Sequence, residues 1–322
     1  MQLEAFLGDP DLRAKTLDRV RSRWEAREVV PLLYLKWSSE MKFASLAGTI
    51  AQTQDPDEFV RKTGLPLSLA LVCETLINAG ITFEDDDSAP FGFRMVCDEA
   101  IWAFGPEWLS AVPLGGDVTD VVPRFLPIFL GLVLSPKLPL SRHIDPAVRA
   151  AANEIVALWG RELSGEIVPR AVWRQVRLQA QAAAEGWADP AGSSVAALVE
   201  SLPWPSVGIA TELPAICQTF LNSHLQVLAA KASSERDWLA WSDRLAAERE
   251  LNALRSDARY TDLADPELLD HFPDLNRRMS AAESPGLATR MEQAKADARQ
   301  QMTPFLRALM EGLLTFLREE PE

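Results

Sequence analysis

Residues 55 to 80 read Asp-Pro-Asp-Glu-Phe-Val-Arg-Lys-Thr-Gly-Leu-Pro-Leu-Ser-Leu-Ala-Leu-Val-Cys-Glu-Thr-Leu-Ile-Asn-Ala-Gly, and this stretch decides the fold class. The Asp55 side chain can accept bonds from the free amides of a helix start, and Pro56 suits the first helical position, where a missing donor costs nothing. Gly64 supplies a turn, and a second apolar helix is expected over Leu67 to Asn78. Beyond Gly80 the helical period gives way to alternation in Ile81-Thr-Phe-Glu and Phe91-Gly-Phe-Arg-Met-Val96, two short strands joined by Asp85-Asp-Asp-Ser-Ala-Pro90.

Working outward, four more Asp-Pro pairs (Asp9, Asp145, Asp189 and Asp265) mark helix starts. Stripes at helical spacing follow: Leu17, Val20 and Trp24; Val148, Ala152, Ile155 and Trp159, with Gly160 placed to terminate; Trp173, Val176, Ala180, Ala183 and Trp187; and Leu306, Leu309, Leu313 and Leu317. Tryptophans at this spacing read as core. The expected class is mainly α, multi-helical, with one small wing-like β-hairpin in the N-terminal half. Loop signals at Pro113 to Asp120 and Ser135 to Asp145 divide the chain into an N-terminal unit (1–115), a Pro-broken apolar connector (116–144) and a helical C-terminal domain (145–322), with a weaker break over Ser280 to Gly286. Trp24, Val30-Pro31, Trp37, Asp55-Pro56 and Leu65-Pro66 also align with Trp159, Val168-Pro169, Trp173, Asp189-Pro190 and Leu202-Pro203 at offsets of 134 to 138, the pattern of an internal duplication.

The order helix, Gly64 turn, helix and two strands over 55–97 resembles a winged helix-turn-helix, with Leu76-Ile-Asn-Ala-Gly80 matching the leucine and glycine that close the family's second helix. The resemblance implies a recognition helix at Leu67–Asn78 and a wing at 81–96. The charge argues against DNA as its ligand. Leu67–Asn78 holds no Lys or Arg, and 55–97 has three basic and eight acidic residues, a net of −5. The wing tip, Glu84-Asp85-Asp86-Asp87, would repel phosphates.

Charge excludes more in general. The 322 residues carry 32 basic and 46 acidic side chains, a net of −14, spread as about −4 over 1–97, −3 over 98–145 and −7 over 146–322. Nucleic-acid wrapping and anionic-membrane binding are disfavoured. The apolar run Phe125–Leu134 contains Pro127 and Gly131 and is too short to span a bilayer, and Met1–Phe6 lacks a basic leader. Three cysteines without a CxxC pair fit a reducing cytoplasm.

No catalytic constellation emerges. His143, His224 and His271 are dispersed, Cys73 and Cys217 lie in apolar helical segments, and no phosphate loop or nucleophile elbow occurs. The Glu84–Asp87 cluster invites comparison with the aspartate-rich metal motifs of the terpene synthase family, but Ser88-Ala-Pro90 follows at once where those motifs need a helix. No cofactor or metal is expected, and a metal-dependent enzyme using that cluster is a third-ranked reading. Trp159-Gly-Arg-Glu-Leu-Ser-Gly-Glu-Ile-Val-Pro169, with Trp173 and the Ala-rich Gln179–Glu185, resembles Ala-rich helical immunity proteins of bacterial toxin systems, which implies a basic protein partner. The expected function is a non-enzymatic cytoplasmic protein acting through protein contacts, with Glu84, Asp85, Asp86 and Asp87 facing a basic partner. A DNA-binding regulator ranks second. The apolar face Leu306, Leu309, Met310, Leu313, Leu314, Phe316 and Leu317 offers weak support for self-association.

Overall fold

The structure is a computed structural model that describes residues 3–32, 34–38, 44–86, 92–138, 141, 143–185, 190–257, 259–260, 263–281 and 286–319. Its described residues form fourteen α-helices and one antiparallel hairpin in the N-terminal half. The helices are α1 (Pro10–Glu25), α2 (Leu46–Ala51), α3 (Pro56–Thr63), α4 (Leu67–Gly80), α5 (Glu99–Ala111), α6 (Val121–Val133) and α7 (Pro146–Leu163), then α8 (Arg170–Ala184), α9 (Pro190–Ser201), α10 (Ser206–Ala232), α11 (Glu235–Arg255), α12 (Asp265–His271), α13 (Pro273–Ala281) and α14 (Leu287–Glu319). Strands β1 (Thr82–Asp85) and β2 (Phe93–Val96) make the hairpin between α4 and α5.

The Asp-Pro starts follow from capping chemistry. Asp9 accepts from the Asp11 and Leu12 amides, Asp55 from Asp57 and Glu58, and Asp145 from Ala147. Asp189 lies outside the described residues, and α9 begins at Pro190. Asp265 differs: it is already inside α12, whose N-cap is Ala264, and its carboxylate pairs with Arg255 instead. Gly160 does not end α7, which continues to Leu163. The stop is Gly165, in the left-handed region at φ 89°, where the Glu166 amide reaches back to the Arg161 carbonyl. Nor does Pro127 break the apolar segment, since α6 runs through it and packs against α4 and α7.

The chain divides into two compact units, 1–224 with 302–322, and 225–301. The first unit holds the large core. Trp24, Trp108, Trp159, Phe59, Phe104, Phe125 and Phe129 are fully buried there, and Leu17 and Val20 of α1, Val148, Ala152 and Ile155 of α7, and Trp173, Val176 and Ala180 of α8 are buried with them; Ala183 is half-buried, and Trp187 lies outside the described residues. Leu306, Leu309, Met310, Leu313, Leu314 and Leu317 are buried too, so the apolar face of the last helix is covered by its own unit. Gly105 on α5 is where the Trp24 ring passes; a Cβ there would lie 2.3 Å from the indole. The second unit centres on Ala247, Leu251, Leu268 and Leu275, with Tyr260 edge-on to Phe272 at 5.5 Å. Arg278 bridges Asp243 and Glu250 across its surface. No single helix among the described residues is long and apolar enough to cross a membrane.

Candidate functional site

The hairpin and the helices beneath it form the site. Gly64 closes α3 in the left-handed region (φ 65°), and a Cβ there would sit 1.9 Å from the Glu4 carbonyl oxygen, so a side chain is barred twice. The helix axis bends by 104° between α3 and α4. Strand register pairs Thr82 with Val96, Phe83 with Met95, Glu84 with Arg94 and Asp85 with Phe93. Phe83 meets Phe93 edge-on at 5.2 Å, and Arg94 donates to Glu84 at 2.7 and 3.1 Å.

Helix α4 occupies the sequence position of a recognition helix, yet no residue along it is exposed. Leu69, Ala70, Val72, Cys73, Glu74, Thr75, Leu76 and Ile77 are all buried. Glu74 explains part of this. Its Oε1 accepts from the amides of Leu46 and Leu32, which fastens the start of α2 and the preceding extended segment onto α4. Oε2 is buried without a hydrogen-bond partner among the described residues. Burial holds the Glu74 carboxyl well above the usual carboxylate range, opposed by those backbone donors.

The accessible part is the hairpin. Phe83 is 49% exposed, and Glu84 and Asp85 are exposed beside it. The Asp86 amide donates to the Gly92 carbonyl at 2.9 Å, closing the described part of the turn; Asp87 lies outside the described residues. Of the four acidic residues expected to face a partner, the structure therefore places Glu84, Asp85 and Asp86 together at one end of β1. Glu84 is committed to Arg94, which its carboxylate holds above the ordinary arginine range.

Behind β2 lies a cleft of about 610 Å³, lined by Arg27, Phe93, Met95, Cys97, Glu99 and Trp102 among others. Arg27 lies 3.8 Å over the Trp102 ring and donates to the Met95 carbonyl at 3.0 Å, which ties the outer edge of β2 to the end of α1. Trp102 packs on Trp24 at 4.5 Å, and the Trp24 indole donates to the Trp102 carbonyl. The Cys97 thiol is pushed up to about 11 by burial, unlike a reactive thiolate. This cleft has no local sequence signal, because Arg27 and Trp102 are 75 positions apart. Among the described residues, no three His, Cys, Asp or Glu side chains converge as a metal site.

No family model matches the chain, and neither a curated protein nor a solved structure matches it.

Proposed function

We propose that this protein is a non-enzymatic binding module that engages a basic protein through the hairpin residues Phe83, Glu84, Asp85 and Asp86. The observation that carries the reading is the contrast between α4, eight of whose residues are buried and none fully exposed, and an exposed, acidic hairpin built around an exposed aromatic ring. An exposed ring with Asp85 on its own face of β1, and Glu84 on the other face, suits a cationic protein surface, where apolar contact supplies affinity and charge supplies rate and selectivity.

The helix order and the 104° bend favour a winged-helix DNA-binding regulator as the second reading. Against it stands groove access, since a helix that reads bases must present polar or basic side chains, and α4 has no fully exposed residue and no Lys or Arg. Side-by-side titrations of the full chain at low salt, with a labelled Lys/Arg-rich peptide and with labelled duplex DNA, separate the two. The account expects peptide binding that Glu84→Lys with Asp85→Lys abolishes. Saturable, strongly salt-dependent DNA binding would support the regulator instead.

A further inference from the structure

We infer that the α7–α8 corner, Glu166 to Val168 with Arg170, Arg174 and Arg177, is a docking surface for an extended acidic segment of a partner protein. This surface is separate from the hairpin and has the opposite charge.

The first observation is an internal comparison. Arg23-Trp-Glu-Ala-Arg-Glu-Val-Val-Pro31 and Arg161-Glu-Leu-Ser-Gly-Glu-Ile-Val-Pro169 share Arg, Glu, Val and Pro at a constant offset of 138. Both turns are closed by the same backbone bond, from Glu28 to Arg23 and from Glu166 to Arg161. Both are also braced by an Arg–Glu ion pair. After the first turn, the chain's own segment returns alongside it. Val29 bridges Ala44 in parallel, Val30 N–H donates to the Ala44 carbonyl at 2.9 Å, Ala44 N–H donates to the Glu28 carbonyl, and Val29 is fully buried. After the second turn the chain enters α8 directly at Arg170. Ile167, the counterpart of Val29, is left 91% exposed. Val168 N–H, the counterpart of the Val30 donor, has no partner among the described residues. The second corner thus offers the place that Ala44 fills in the first.

The second observation is charge. Helix α8 contains Arg170, Arg174 and Arg177 and no acidic residue. At 1.5 Å per residue these stand about 6 and 10 Å along one flank. Arg170 and Arg174 pair with no carboxylate among the described residues. Arg177 is fixed, lying 3.4 Å over the Trp204 ring and donating to the Pro203 carbonyl. Leu178, at 61% exposure on the same helix, and the half-exposed Trp204 beneath Arg177 add apolar contact beside this flank. Tryptophan and arginine are the side chains that most often anchor protein interfaces. Three arginines bordered by Glu162, Glu166 and Glu185 are too few for a long polyanion or an anionic bilayer, which would also meet the −14 of the whole chain. A short acidic strand meets only the patch, and its backbone can pair at Glu166 and Val168.

The test uses the full chain and a labelled, extended peptide alternating Glu and Val, with a Lys-for-Glu counterpart. Fluorescence anisotropy should show salt-sensitive binding of the acidic peptide alone. Arg170→Glu with Arg174→Glu should weaken it by about ten-fold or more, and so should Ile167→Asp; all three positions are exposed, so folding should persist. The hairpin variant Glu84→Lys with Asp85→Lys should leave it intact, which separates this surface from the reading above. Absence of binding, or binding unchanged in both corner variants, overturns the inference. Stronger binding to phosphatidylserine vesicles or to single-stranded DNA, lost in the same variants, overturns it in favour of those ligands.

Discussion

Helices α1 and α7 both start at Asp-Pro, and both carry a fully buried tryptophan near their end, Trp24 and Trp159. Each indole donates to the backbone carbonyl of another tryptophan, Trp102 and Trp204, at 3.1 and 2.9 Å. Each acceptor residue is in turn covered by a guanidinium, Arg27 over Trp102 and Arg177 over Trp204. The interiors of the two regions are built alike, and their exteriors are not. The first continues past α4 into an acidic hairpin, whereas the second continues as one long helix, α10, and exposes an arginine flank on α8. The lesson is that the tryptophan device fixes helix ends, while the segments inserted after it decide what the surface can bind.

The largest test of this comparison is truncation of the two indoles. Trp24→Ala and Trp159→Ala should each cost about 3–5 kcal/mol in urea unfolding, from lost burial and an unfilled cavity. A loss below about 1 kcal/mol at either position would break the equivalence. The next effect lies in the turns. Arg27 stands at φ 60°, and Gly165 holds the matching place at φ 89°. A non-glycine residue there carries about 1–2 kcal/mol of strain. Gly165→Ala should therefore destabilise by about that much. Arg27→Gly should be near neutral, because relief of strain offsets the lost Trp102 stack. Faster hydrogen exchange in β2 should nevertheless accompany it, and unchanged exchange would show that Arg27 does not hold the hairpin.

Much of this architecture was legible beforehand, and the reasons it was incomplete are physical. The α3–Gly64–α4–hairpin order could be read because capping, a left-handed glycine and a change of period are all local signals. The sequence points to Gly160 as the stop of α7, whereas the helix ends at Leu163, since a glycine inside a helix and one at its end look alike without the backbone bond of Glu166. Glu74 sits in an apolar run, but its grip on Leu46 and Leu32 is a long-range contact with no trace in spacing. The arginine flank was hidden by arithmetic: summing charge over 146–322 averages three arginines on one helix side into −7. Of the candidate site, the acidic cluster was read directly, whereas the cleft behind it depends on Arg27 meeting Trp102 across the fold.

Smaller effects sharpen the contrast further. Glu74 has a folded-state pKa raised above its unfolded value, so the folded chain binds the extra proton. Its contribution is present at acid pH and lost as pH rises from the ordinary glutamate range through the raised value. Glu74→Gln, which keeps the shape of the neutral acid, should flatten that fall in a melting-temperature series. A slope unchanged by the substitution would place the titration elsewhere. Smallest of all, Glu84→Lys with Asp85→Lys should destabilise by no more than about 1 kcal/mol, since the Glu84–Arg94 pair is exposed and the like charges it leaves opposite one another are solvated.

Because that hairpin variant should leave the fold intact, it gives the most direct test of the central claim. The measurement is quantitative affinity capture from the native host, comparing wild type with the Glu84→Lys, Asp85→Lys protein. The account predicts a basic protein retained by the wild type and absent from the variant. Retention of the same proteins by both, or recovery of duplex DNA by the wild type, would contradict it.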